Sequence, residues 1–390
     1  MERSLSRARL ATFVYFVLNG TLLGMWIVQI PAIEDRAGIS HAVLGGFLLL
    51  LGGGAFLGLR LGGPVADRVG TRTVVPASAV LCSLTLALPG LATSAWTLAG
   101  ALVLLGFGNG CLDVSMNAHA VEVEKRYGRP VMSAFHATFS VGGVLAAGAG
   151  AAMASLGWGP AEALGASAVL GALVALVAAP LLLPADSHRS VEPGQGVGEE
   201  AGARQAPARI WLLAVLALMV MMSEGVANDW SVLHLRTVLD TSASTAAFAY
   251  GSFAATMTIG RLLADRFSAR FGPASVLRYG AAVAAAGVTL AALSPWVGAA
   301  LVGWAVFGAG LSGCVPQLFS AAGHADPSAA GANVSRVASL GYLGMLAGPA
   351  VIGWLTRLMP LNLTFLLPAA CCAFAAVAAG VLRTRTEVAP

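Results

Sequence analysis

The chain has 390 residues, of which 57% are hydrophobic and only 10% charged, and its mean hydropathy is +0.81. A soluble domain usually carries about 25% charged residues, so this composition excludes an ordinary water-soluble fold and requires most of the surface to face hydrocarbon. The net charge of +4 arises from 22 basic against 18 acidic residues gathered at segment ends, which is not the footprint of a nucleic-acid binder.

A bilayer core needs roughly 20 apolar residues per helix. Runs of that kind predict spans over 9–32, 42–62, 73–91, 96–119, 132–156 and 162–183. The first run continues as a full span with no small-residue cleavage site after it, so it reads as a helix and not a leader. Residues 184–208, rich in Pro, Gly and Glu, cannot bury a core and read as a solvated linker. Further spans follow over 209–233, 243–264, 275–294, 296–320, 334–356 and 361–382. The expected fold is an all-α membrane protein of twelve helices. One six-helix bundle lies over 1–183, a cytoplasmic linker over 184–208 and a second bundle over 209–390. The 48 glycines suit close helix packing. Cys82, Cys111, Cys314, Cys371 and Cys372 lie inside apolar runs without metal or disulfide spacing and read as small core residues.

Basic residues near short loops set orientation. With the N-terminus inside, 16 Arg or Lys fall on the cytoplasmic side and only Arg36, Arg236 and Arg357 outside. Arg60, Arg261 and Arg336 lie within helices near inner ends. Both termini are therefore expected in the cytoplasm.

The halves also repeat. Gly63-Pro-Val-Ala-Asp67-Arg68-Val-Gly70-Thr-Arg72, expected as the loop between spans two and three, is answered 198 residues later by Asp265-Arg266-Phe-Ser-Ala-Arg270. Phe107-Gly108-Asn109-Gly110 is answered by Phe307-Gly308-Ala309-Gly310. A repeat of this length suits two bundles with a site at their interface.

A charge inside a bilayer costs a few kcal/mol or more, so a buried acid needs a reason. Asp113 lies in span four with Asn109 and Asn117 at i−4 and i+4 on one face. Glu224 lies in span seven with Asn228 at i+4, nearer the outer side. Removal from water disfavours an ionised carboxyl, which lets such acids exchange protons, as a proton-coupled carrier requires. His136 in span five and Arg336 in span eleven are candidate positive partners. Asp229 and Arg236 read as rim charges; Trp26 and Trp230 could stack on a ring, but near span ends they read first as interfacial anchors. Asn19, Gln29, Gln317 and Tyr342 offer hydrogen bonds without charge. There is no phosphate-binding Gly-x-x-x-x-Gly-Lys loop, no metal-ligand spacing and no nucleophile–base arrangement, so neither an enzyme nor a cofactor is expected.

The pattern G-x-x-x-D-R-x-G-x-R at Gly63–Arg72 resembles the loop signature of the major facilitator superfamily, at the position that family uses. Trp26-x-x-x-x-Pro31, Asp113-Val-Ser-Met-Asn117, Phe135-His136-Ala137, Glu224-Gly225, Asp229-Trp230-Ser231 and Arg336-Val-Ala-Ser-Leu-Gly-Tyr342 resemble a YbjJ-like bacterial inner-membrane branch. That branch is similar to the fucose permease group of proton–sugar symporters. In that group a fourth-helix acid followed four residues later by Asn is tied to transport, which corresponds to Asp113 and Asn117. The group's first-helix acid is replaced by Ile27. The fourth-helix arginine of drug–proton antiporters is absent from Gly106-Phe-Gly-Asn109-Gly110, and the string Gly344-Met-Leu-Ala-Gly348-Pro349 falls in span eleven.

The resemblance implies a monomeric carrier in the bacterial cytoplasmic membrane that takes a small polar, sugar-like metabolite with protons as coupling ion. Asp113, Glu224 and His136 are the expected proton-coupling residues. Asn19, Gln29, Asn109, Asn117, Asn228, Gln317, Arg336 and Tyr342 are expected to bind substrate, since spans one, four, seven and ten line the family's cavity. Gly63, Asp67, Arg68, Gly70, Arg72, Asp265 and Arg266 are expected to gate, with Asp67 placed at the positive N-terminal end of span eleven. Two other readings stay open: an exporter of a drug or secondary metabolite by proton antiport, and a transporter-like ligand sensor.

Overall fold

A computed structural model describes residues 2–127, 131–183, 208–325 and 330–382, and among them there is no strand. The first six spans are α1 (Glu2–Ala37), α2 (His41–Val69), α3 (Thr71–Leu91), α4 (Ala95–Tyr127), α5 (Met132–Ser155) and α6 (Pro160–Ala178). The second six are α7 (Ala208–Thr237), α8 (Ala243–Phe271), α9 (Pro273–Leu293), the broken span α10 (Val297–Leu311) with α11 (Cys314–Ala325), α12 (Ala330–Leu355), and α13 (Leu361–Thr364) with α14 (Leu366–Ala378). Except for Ala208, the expected linker lies outside the described residues.

Among the described residues, 11 helical segments are long and apolar enough to cross a membrane. α8 falls short although it runs for 29 residues. Its first half holds Ser, Thr and Tyr, and its second half holds Arg261, Asp265, Arg266 and Arg270.

The helices overrun several expected ends, which corrects one motif. Residues 63–69, expected as loop, are the last two turns of α2, and the connection to α3 is Gly70 alone. Its φ of 91° is open to glycine and strained for a residue with a Cβ. Gly272, with φ 80°, makes the same junction between α8 and α9. Ser40 and Ser242 cap α2 and α8 through their hydroxyls, each accepting from the backbone N–H three residues on. The repeat therefore lives in the caps and turns as well as in the charged string.

Within each half, helix pairs meet backbone to backbone. A Cβ on Gly142 of α5 would overlap the Val17 carbonyl oxygen of α1, and one on Gly344 of α12 would overlap that of Leu218 in α7. These seams are equivalent in the two six-helix bundles. Between the bundles, α2 packs on α12 and α5 on α8.

Those crossings concentrate at the end opposite the chain termini. A Cβ on Gly45 would come within 2.9 Å of Gly353 Cα, and one on Gly251 within 2.8 Å of the Ala147 side chain. The His41 ring stands edge-on to Trp230 at 5.9 Å. Towards the terminal end, His136 of α5 and Tyr342 of α12 are exposed. Among the described residues, these contacts between the bundles thus gather towards the loop end. Trp26 and Trp230, expected as interfacial anchors, are instead fully buried in the core. The Trp230 indole N–H donates to the Pro349 carbonyl at 3.1 Å.

Candidate functional site

Two acids stand near mid-helix on opposite sides of the bundle interface. Asp113 is half-buried on α4, where the Asn117 amide, one turn on, donates to its Oδ1 at 3.1 Å and to its backbone carbonyl at 2.8 Å. Asn109, one turn back, has its Oδ1 buried with no hydrogen-bond partner among the described residues. A buried polar atom left unmatched costs about 1–3 kcal/mol. It is tolerated where a ligand or water completes it.

Glu224 of α7 meets a partner that the sequence reading did not single out. Arg261 Nη2 donates to Glu224 Oε1 at 2.7 Å, with the two side chains only 29% and 12% exposed respectively. Arg261 Nη1 donates to Ser140 Oγ of α5 at 3.3 Å. An acid from α7, a guanidinium from α8 and a hydroxyl from α5 therefore form one chain that crosses between the bundles. Tyr342 of α12 lies within electrostatic reach of Asp113, Glu224 and Arg261.

His136 is exposed, edge-on to the Phe16 ring at 5.2 Å and within electrostatic reach of Arg261. Arg336, the other expected cation, is half-buried and donates to Asn333 Oδ1 on its own helix at 3.2 Å. The cation paired with Glu224 is thus Arg261, and neither His136 nor Arg336. Asp229, expected at the rim, is half-buried and within electrostatic reach of Tyr250, which itself packs against Gly143 in the seam between bundles. Arg236 does hold a turn, donating to the Thr241 carbonyl at 2.7 Å.

The uncharged candidates divide. Asn109 and Asn117 are half-buried one turn to either side of Asp113, Tyr342 is exposed, and Asn228 is half-buried one turn from Glu224. Asn19 and Gln29 of α1 are packed among core residues, Asn19 with its Oδ1 unmatched among the described residues. Gln317 Oε1 accepts from the Ser268 hydroxyl at 2.8 Å, which ties α11 to α8 near the terminal end. Of the expected gating set, Arg68, Arg72 and Arg266 are exposed and Gly63 is partly covered by Val114. The side chains of Asp67 and Asp265 lie outside the described residues. Next to this gate, Thr71 at the start of α3 hydrogen-bonds His119 Nδ1 at 2.9 Å and Glu122 Oε2 at 3.2 Å. Among the described residues no cluster of His, Cys, Asp or Glu has the makings of a metal site.

The model of the family described as the Major Facilitator Superfamily matches this chain over residues 10–320 and again over 213–390. The chain belongs to the major facilitator superfamily. An uncharacterised MFS-type transporter of Yersinia pestis is 36% identical over 92% of this chain and 91% of its own length. Among solved structures, a variant of the nucleoside transporter NupG superposes with a TM-score of 0.80 at 14% identity, covering 97% of this chain and 100% of that one. The transporter FucP in its outward conformation superposes with a TM-score of 0.62 at 17% identity, covering 96% and 98%. As a facilitator, the protein is a multi-pass membrane transporter of small molecules and not an enzyme. The Glu224–Arg261–Ser140 chain of α7, α8 and α5 lies at the interface between the bundles.

Proposed function

We propose that this facilitator is a proton-coupled symporter of a small polar, sugar-like metabolite that works by alternating access in the bacterial cytoplasmic membrane. The observation that carries the reading is the Glu224–Arg261–Ser140 chain spanning the two bundles beside Asp113. The ligand-facing groups are amides, a phenol, an imidazole, carboxyls and one guanidinium, which suits a ring or chain rich in hydroxyls. Tyr342 and His136 add flat faces for stacking.

Both termini and the 184–208 linker are placed in the cytoplasm, following the distribution of basic residues. The contacts between the bundles at the loop end then lie on the outer side, and in this scheme the carrier opens inward. Asp113 is the proton carrier in this scheme. Glu224 and Arg261 hold the bundles through Ser140, and protonation of Glu224 or a competing substrate hydroxyl releases that tie. Asn109, Asn117, Asn228 and Tyr342 orient substrate. Gly63–Arg72 and the Asp265–Arg266 repeat close the cytoplasmic side in the outward-open state. The protein acts as a monomer.

Reconstitution into proteoliposomes with an imposed pH gradient tests this. A metabolite selected by thermal-shift screening should accumulate on the alkaline side against its own gradient. Movement towards the acidic side would replace symport with proton-driven export. Binding without flux in either direction would make the protein a sensor.

A further inference from the structure

A second concavity lies away from the polar centre. α8, α9 and α10 enclose a cavity of about 820 Å³ whose walls include Ile259, Leu263, Phe267 and Phe271 of α8 with Tyr279 and Val283 of α9. Helix periodicity explains where it faces. Arg261 points from α8 to Glu224, and side chains two residues to either side are rotated by roughly 200°. Ile259 and Leu263 therefore point away from the centre, towards the bilayer. Ile259, Phe267, Phe271 and Tyr279 are each more than half exposed.

The floor of this slot is a close seam. A Cβ on Gly280 of α9 would come within 2.7 Å of the Gly310 carbonyl oxygen of α10, and one on Gly260 of α8 would overlap the Ser312 hydroxyl. Small residues below and large apolar ones at the rims leave a groove that opens sideways into hydrocarbon. Its volume lies within the roughly 300–1,000 Å³ of small-molecule pockets.

Charge selects the occupant. At the terminal end the mouth is basic, with Arg266 and Arg270 exposed one turn apart on α8. The Arg270 guanidinium lies over the ring of Phe271, 5.4 Å from its centroid, and Phe271 lines the slot. α9 begins at Pro273 beside this mouth, and Ser275 in its first turn also lines the slot. First-turn N–H groups have no helical acceptor and favour an anion. A guanidinium, a hydroxyl and a helix start at the polar end of an apolar slot match a phosphodiester carried on acyl chains.

We propose that this slot is a binding site for an anionic phospholipid of the leaflet at the terminal end. An acyl chain lies between α8 and α9, and the phosphate sits at Arg270 and Ser275. Because α8 also presents Arg261 to the centre, the lipid braces the helix that carries the inter-bundle tie.

The full chain, purified in detergent and exposed to phosphatidylglycerol or to phosphatidylcholine of matched chains, is read by native mass spectrometry. One phosphatidylglycerol should stay bound under conditions that strip phosphatidylcholine. Arg270→Gln should weaken that preference about fivefold, the factor that corresponds to about 1 kcal/mol per basic side chain at an anionic surface. Arg270→Lys should restore most of it. Ala309→Trp, at an exposed position on the slot wall, should expel the lipid whatever its headgroup. Thermal unfolding in lipid-free detergent serves as the control that all three variants fold. Equal retention of the two lipids, or retention untouched by both substitutions, would mean ordinary annular lipid and overturn the proposal.

Discussion

Arg261 decides how the centre behaves. Its guanidinium divides between Glu224 on its own side of the interface and Ser140 on the other. Removing one partner of a largely desolvated ion pair leaves the other charge uncompensated, at a cost of about 3–5 kcal/mol. Replacing both relieves that cost. Arg261→Gln is therefore expected to lower the unfolding temperature markedly, and Arg261→Gln with Glu224→Gln to recover much of the loss. Thermal unfolding of the single and double variants in detergent checks this. A double variant as unstable as the sum of its singles would show that the two side chains do not act as a pair. Asp113 is held differently: its hydrogen-bond donor at the centre is the neutral Asn117 amide of its own helix. It can gain or lose a proton without breaking an ion pair of this kind, which is why the proton is assigned to Asp113.

At the scale of elements, one glycine makes the junction on which each gate motif depends. Gly70 joins two long helices with no other linking residue and adopts a backbone conformation strained for any side chain. Gly70→Ala is expected to cost roughly 1–3 kcal/mol, with a smaller effect for Gly63→Ala, whose added Cβ would meet Val114 only at an ordinary 3.6 Å. Comparison of unfolding temperatures checks the pair, and equal losses would contradict the turn assignment. Helix ends also explain what the sequence hid. Apolar runs marked the spans well because lipid-facing and core faces are both apolar. They stopped at the first charges, although the helices continue through them. The apolar run of span eight ends at 264, which sets Arg261 near an inner end, whereas α8 runs to Phe271 and sets Arg261 about two turns deeper. The same foreshortening at 32 and 233 placed Trp26 and Trp230 at an interface, although α1 and α7 carry both well inside the core. Asp113 and Glu224 were legible because a carboxyl within an apolar run stands out on any hydropathy reading. Ser140 was not, since a hydroxyl in such a run usually bonds its own helix.

At the scale of the molecule, two equivalent bundles meet, among the described residues, mainly towards the loop end, and the proposed opening is at the terminal end. Which face of the membrane the open end meets follows from the termini. Cysteines introduced as Gln195→Cys or Thr386→Cys should escape an impermeant maleimide in intact cells, and Ala37→Cys should react. The reverse pattern would turn the carrier around and make this an outward-open state. In the proposed mechanism, protons move with substrate past Asp113 and the Glu224–Arg261 pair. The most direct test loads proteoliposomes with a pH-sensitive dye and adds, with no imposed pH gradient, the metabolite that most stabilises the protein. Symport predicts that the interior acidifies as substrate enters, and that Asp113→Asn abolishes the acidification while exchange of labelled for unlabelled substrate continues. Substrate entry with an unchanged or rising internal pH, or acidification that survives Asp113→Asn, would contradict it.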